Sequence, residues 1–243
     1  MSIRSLRAAV SFLTVLPVAN ADGSPGERLG RAYFPAIGAL IGLAAGVAYL
    51  VSAAITTPLV GGAVAVAVLA VMTGALHLDG LADSIDGLMT HGDAARRLEV
   101  MRDPRLGSYG VTAIAVVLLL EVAAIAAMSP VRALAGLVIA GALSRLATLA
   151  IITFVPYVRP AGLGVAAWEP RHRGLDLAVG AASAGVVCAL DWRRALVALP
   201  LVALAAVSLA VVARRRVGGA TGDVCGAAAE LCQLASLLVF AVR

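Results

Sequence analysis

Long apolar runs constrain this chain more than any other feature. Phe34 to Ile55 and Val111 to Met128 each reach the ~20 residues needed to cross a bilayer core. Hydrophobic residues make up 61% of the 243 positions and charged residues 14%, and the mean hydropathy is +0.99. Soluble domains sit near about 45–50% apolar and about 25% charged. The expected fold is therefore all-α, a polytopic integral membrane bundle forming one domain over 1–243. A disordered chain, a disulfide-stapled secreted domain and a soluble nucleic-acid binder are excluded.

Seven apolar segments can be marked, at 34–55, 59–76, 111–129, 133–152, 175–190, 195–212 and 223–242, which predicts about seven transmembrane helices. The fifth is short for a span. Pro58, Pro130 and the Asp191–Arg194 cluster punctuate tight connections. All 19 basic residues are arginine, and their placement sets the orientation. With the N-terminus in the cytoplasm, fourteen fall on inside segments and four on outside ones, while Arg145 lies within a span. Such a positive-inside bias places the polar loops 77–110, 153–174 and 213–222 on the cytoplasmic side of the membrane. Arginine placement thus follows topology, and no nucleic-acid partner is expected. Residues 1–32, with Arg4 and Arg7 ahead of an apolar stretch and Ala19-Asn20-Ala21, imitate a cleavable leader. An amphipathic helix lying on the inner leaflet fits them better. Cys188, Cys225 and Cys232 form no ligand pattern and read as small packing residues.

The chemistry concentrates in 77–110. Asp79, Asp83 and Asp86 stand at i, i+4 and i+7, on nearly one face of a helix. Like charges at that spacing repel, and a hard divalent cation removes the conflict. Mg²⁺ takes oxygen ligands and commonly binds one or two carboxylates together with substrate phosphates. Six of the fourteen acidic residues lie in this loop, Asp103 among them, beside Arg96, Arg97, Arg102 and Arg105. Carboxylates for metal beside guanidiniums for phosphate is the combination that phosphoryl transfer requires. Asp93, Arg96, Arg97 and Glu99 read instead as a solvated loop face. His77, two residues before Asp79, could serve as general base, metal ligand or hydrogen-bond donor, and spacing does not separate these.

A second polar cluster, Gly218-Gly219-Ala-Thr221-Gly222-Asp223 through Gly226 to Glu230, opens the last span. Thr221 reads as a helix N-cap, and glycine before a helix start can aim backbone N–H groups at phosphate. Asp223 and Glu230 share a face at i, i+7. Glu121, Arg145 and Glu230, ionisable groups within spans, are functional candidates; a structural Glu–Arg pair is the alternative.

Together these strings resemble one family. His77-Leu-Asp79-Gly-Leu-Ala-Asp83-Ser-Ile-Asp86-Gly, Met101-Arg-Asp103-Pro-Arg105-Leu-Gly107-Ser-Tyr-Gly110 and the Gly218–Glu230 cluster are similar to those of cobalamin-5′-phosphate synthases, the adenosylcobinamide-GDP ribazoletransferases. Phe12-Leu-Thr-x-x-Pro17, Phe34-Pro-x-x-Gly38 and Arg159-x-x-Gly162-Leu-Gly164 extend the likeness through most of the chain. Members of the family often carry Lys at the position of Arg102 and Ser at that of Pro104.

The resemblance implies Mg²⁺-dependent reaction of adenosylcobinamide-GDP with α-ribazole or its 5′-phosphate, giving GMP and adenosylcobalamin or its 5′-phosphate. It implies metal on Asp79, Asp83, Asp86 and Asp223, with Asp103 and Glu230 as further candidates. His77 and these carboxylates would be the catalytic groups. Arg102, Arg105, Arg159 and Thr221 would hold substrate phosphate. A CDP-alcohol phosphotransferase shares this metal logic, but its D-x₂-D-G-x₂-A-R string is not met, because Asp83 follows Ala82. A cation-coupled transporter would set its carboxylates near the membrane centre and show paired repeats, and no repeat is visible. Spans rich in small residues would permit a homo-oligomer.

Overall fold

The computed structural model describes residues 2–18, 29–159, 163–169 and 172–242. Ten α-helices run through them: α1 Ile3–Leu13, α2 Phe34–Ile55, α3 Pro58–Met72, α4 Leu76–Met89, α5 Ala94–Val100, α6 Ser108–Ala126, α7 Pro130–Phe154, α8 Arg173–Cys188, α9 Trp192–Val217 and α10 Gly222–Ala241. The described residues contain no β-strand, only an isolated bridge between Tyr157 and Ala220.

Helix α7 is the centre of the bundle, with α2, α10, α8 and α9 packed around it. Without water to drive apolar faces together, membrane helices associate where small residues let their backbones touch. Gly38, Gly42 and Gly46 recur every four residues on α2. A Cβ added at Gly38 would stand 2.1 Å from the Gly141 carbonyl oxygen of α7, and one at Gly42 2.1 Å from that of Leu137. Any side chain there would drive the two helices apart. The outward faces carry Leu40, Val47 and Val51 on α2, Leu119 on α6 and Leu196 and Leu204 on α9, all exposed. A surface of that kind is wetted by lipid. The molecule is a polytopic all-α membrane bundle.

Two departures from the seven marked segments are informative. Five helical stretches are long and apolar enough to cross a membrane, or six if α3 and α4 count together as one bent span. The first departure joins the fifth and sixth segments: Arg173–Val217 forms one stretch of 45 residues, about twice a span's length. A short 3-10 turn at Ala189–Asp191 interrupts it, and the Asp191 side chain then caps α9 by accepting from Arg194 N. The second departure is in the expected 59–76 span, which ends at Met72. Gly74 (φ 60°) and Ala75 (φ 57°) adopt the left-handed conformation, and α4 leaves at 87° to α3. Hence residues 76–89, expected as the start of a polar loop, form a packed helix lying on α10 and α6.

The amphipathic α1 buries Ala9 and Leu13, and Phe12 stacks on Phe34 at 5.9 Å. Val15 N donates to the Met72 carbonyl at 2.9 Å, which ties this segment to the α3–α4 turn. Most of the remaining expected interfacial segment, residues 19–28, lies outside the described residues.

Candidate active site

The site is built where α4 crosses the first turns of α10. A Cβ on Gly80 would lie 2.9 Å from the Asp223 carbonyl oxygen and 3.1 Å from Gly226 Cα. Only glycine lets the helices meet so closely, and this contact brings the acidic face of α4 to Asp223. Asp83, half-buried, lies in the field of Asp79, Asp223, Arg159 and Asp86. Two distant stretches of sequence have thus been folded into one acidic cluster.

Arg159 is delivered by the bridge after α7. Val158 N donates to the Ala220 carbonyl at 3.1 Å, and Ala220 N to that of Pro156 at 2.8 Å. Gly219 has no room for a side chain, since a Cβ would sit 2.3 Å from the Pro156 oxygen. With the two segments pinned, the Arg159 guanidinium pairs with Asp223 at 2.6 Å and donates to the Met101 carbonyl at 3.3 Å. Its buried Nε has no hydrogen-bond partner. Thr221 caps α10, its hydroxyl accepting from Val224 N at 3.3 Å and donating to Asp223 at 3.2 Å.

A cavity of about 510 Å³ opens onto this cluster. His77, Asp79, Arg159, Gly222 and Asp223 form its polar wall; Phe12, Leu13, Ile152, Tyr157 and Trp168 are among its apolar lining. Tyr157 and Trp168 lie against each other at 4.6 Å, and the indole N–H donates to the Val155 carbonyl at 2.9 Å. Burial pushes the Tyr157 phenol above its ordinary value, with Arg159 opposing. The cavity is large enough for a nucleoside-sized group, since small-molecule sites run from about 300 to 1,000 Å³.

Several residues of the motif have other partners. Asp86 is buried and accepts from Gly107 N at 2.8 Å and Gly110 N at 2.9 Å. Its carboxylate therefore fixes the start of α6, where free N–H groups and the helix dipole favour a negative charge. Arg105 is exposed and grips Asp103 at 2.6 Å. That contact holds the Asp103 carboxyl down at about 2, so the pair persists as pH falls through the ordinary carboxylate range. Arg102 is exposed. Neither Arg102, Asp103 nor Arg105 lines the cavity. Arg97 departs from the expected solvated face: it donates to the Leu88 carbonyl at 2.5 Å, and Arg216 donates to the same oxygen. Both satisfy carbonyls at the end of α4. Asp93 caps α5 by accepting from Arg96 N at 2.9 Å, while Arg96 and Glu99 pair on the surface at 2.7 Å.

Glu230 lies deeper, apart from the cavity, beside a buried network that spacing did not disclose. Arg145 donates to Gln233 Oε1 at 3.0 Å, to Ser144 Oγ at 2.9 Å and to His77 Nδ1 at 3.2 Å. Gln233 Nε2 donates to Glu121 at 3.0 Å. The described residues contain no direct Arg145–Glu ion pair; the amide of Gln233 stands between. Signals for this network were a glutamine and an arginine inside apolar runs.

Nor do three His, Cys, Asp or Glu side chains among the described residues converge into a ready-made metal cage. The donor set still suits a cation that arrives with its own oxygen ligands. Asp79 and Asp223 face one cavity from two helices, and Mg²⁺ usually retains waters and substrate phosphate beside one or two carboxylates. Arg159 neutralises Asp223 meanwhile.

An acidic cluster, a cavity-facing arginine and a bundle embedded in lipid define a membrane protein with a polar candidate active site. Comparison with known proteins makes this specific. The family model for cobalamin-5-phosphate synthase matches residues 5–241, so the chain belongs to that family and is a transferase. Curated relatives include the adenosylcobinamide-GDP ribazoletransferase of Bradyrhizobium diazoefficiens, 38% identical with 98% of this chain and 94% of the relative covered. The protein of that name from Azorhizobium caulinodans is 40% identical over 95% and 92%, and that from Stutzerimonas stutzeri 38% over 98% of each. No solved structure matches the chain.

Proposed function

We propose that this protein transfers the cobinamide-phosphate moiety of adenosylcobinamide-GDP to α-ribazole or its 5′-phosphate, releasing GMP, with Mg²⁺ as cofactor. The observation that carries the reading is the meeting of Asp79, Asp223 and Arg159 at one cavity, across the Gly80–Gly226 contact, with Asp83 close behind them. Fourteen of the arginines fall on one side of the expected topology, which supports a site facing the cytoplasm from the inner membrane.

The chain's own groups divide the work as follows. Asp79 and Asp223 would hold Mg²⁺, with Asp83 adding charge beside them. When bound, the ion supplies Lewis-acid polarisation of the diphosphate and neutralises charge on the departing GMP. Arg159 exchanges Asp223 for a phosphate oxygen, and its partnerless Nε–H provides a second donor. Asp83, half-buried among carboxylates, accepts the proton of the attacking ribazole hydroxyl. Asp86 positions the segment leading into α6 and touches no substrate. A cavity of about 510 Å³ holds a nucleoside and phosphate, so the corrin ring stays outside it.

Purified protein in detergent, given adenosylcobinamide-GDP and α-ribazole 5′-phosphate, tests this reading. GMP and completed corrinoid are expected in equal amounts, and EDTA is expected to stop both. Silence with these substrates and CMP release from a CDP-alcohol would overturn the substrate and keep the acidic site.

A further inference from the structure

Arg145 has only donors to offer, because a guanidinium carries five N–H groups and no acceptor. Its Nη2 lies 3.2 Å from His77 Nδ1, so Nδ1 must be the acceptor and the ring proton must sit on Nε2. A ring protonated at both nitrogens would set donor against donor. The same reasoning fixes the next member of the chain. Gln233 presents its oxygen to Arg145 at 3.0 Å and its NH₂ to Glu121 at 3.0 Å; turned over, the amide would oppose the guanidinium with its own N–H. All four side chains are buried, with Glu121 at 1% and Arg145 at 3% exposure. Water is therefore not at hand to relax the arrangement. At the far end His77 lines the cavity, and its Nε2 has no hydrogen-bond partner among the described residues.

We infer that the Glu121–Gln233–Arg145 relay locks His77 as its Nε2–H tautomer, making it a fixed hydrogen-bond donor to an anionic phosphate oxygen in the cavity. In this role His77 neither removes a proton from the acceptor nor ligates a cation, since Nδ1 is occupied and Nε2 carries hydrogen. Arg145 and Gln233 are positioning residues that touch no substrate. A relay of this sort costs nothing to reorganise at the moment of reaction, which is what makes preorganised donors effective. The inference rests on the proposed phosphoryl transfer for the identity of the acceptor, but the tautomer itself does not.

The chain has three histidines, and His91 and His172 are exposed. A His91→Asn, His172→Asn protein labelled with ¹⁵N-histidine reports His77 alone by NMR. The expected spectrum is a single neutral ring protonated at Nε2, and Arg145→Lys, whose one nitrogen cannot span Gln233, Ser144 and His77 together, is expected to mix the tautomers. A ring protonated at Nδ1 in the unsubstituted relay would overturn the inference, whether or not ribazole transfer is detected. Turnover gives the second readout. His77→Gln keeps an N–H at the Nε2 position and is expected to retain kcat within about tenfold, whereas His77→Ala loses about 10²–10³, the cost of one preorganised donor. Equal loss in both would mean that His77 acts as a base and would contradict the donor role.

Discussion

Replacing Asp79 by asparagine is expected to lower turnover about a thousandfold and leave the bundle intact. Asp79 is exposed on α4 and lines the cavity, and its carboxylate makes no hydrogen bond or ion pair with the described residues. Beyond a modest helix-dipole interaction in the first turn of α4, nothing in the fold therefore depends on its charge. A hard cation does depend on it. Loss of a charged ligand removes several kcal/mol of stabilisation of the developing phosphate charge, and about 4 kcal/mol corresponds to about a thousandfold in rate. The check is steady-state GMP release beside thermal unfolding of the same preparation. Near-normal turnover in Asp79→Asn would remove Asp79 from the metal site.

Gly80→Ala is the second large effect, and it acts through geometry. The added methyl would meet the Asp223 carbonyl oxygen at 2.9 Å and Gly226 Cα at 3.1 Å, both backbone atoms that cannot swing aside. Overpacking of this kind costs about 1–3 kcal/mol. The larger consequence is that α4 and α10 move apart and carry Asp79 and Asp83 away from Asp223 and Arg159. A displacement of about 1 Å in a positioned group can lower rate about a hundredfold, and that loss is expected per folded molecule. Gly185→Ala in α8, where an added Cβ meets nothing within 4 Å, should match the parent in both stability and rate. Equal activity in Gly80→Ala and Gly185→Ala would show that the close crossing does not set the site.

Much of this was readable before any coordinates. Periodicity placed Asp79, Asp83 and Asp86 on one helical face, and they share α4. Spacing could not say what each side chain meets. Asp86 is on the acidic face, yet it finds the amides of Gly107 and Gly110, more than twenty residues on. Hydropathy likewise runs smoothly through Thr73-Gly-Ala, so the 87° turn between α3 and α4 was hidden; it depends on left-handed φ at Gly74 and Ala75, which no apolar run records.

Other features left a trace that apolar segmentation passes over. Gly38, Gly42 and Gly46 form a four-residue repeat whose purpose, contact with Gly141, Leu137 and Leu134 of α7, is a known device of membrane helices. Gln233 is a polar residue inside the last span, and polar groups held in that medium need partners; only the fold reveals that the partners are Arg145 and Glu121. The link between Pro156–Val158 and Ala220 left no trace at all. It is made by backbone atoms, which every sequence possesses, and yet it is what seats Arg159 on Asp223.

Because the acidic side chains among the described residues do not close into a cage of their own, the cation is expected to arrive with the diphosphate. Mn²⁺ binding followed by electron paramagnetic resonance, with and without adenosylcobinamide-GDP, measures this directly. Tight uptake is expected only when the nucleotide-charged corrinoid is present, and it should vanish in the Asp79→Asn, Asp223→Asn double variant. Uptake that is unchanged in the double variant would contradict a metal held between α4 and α10.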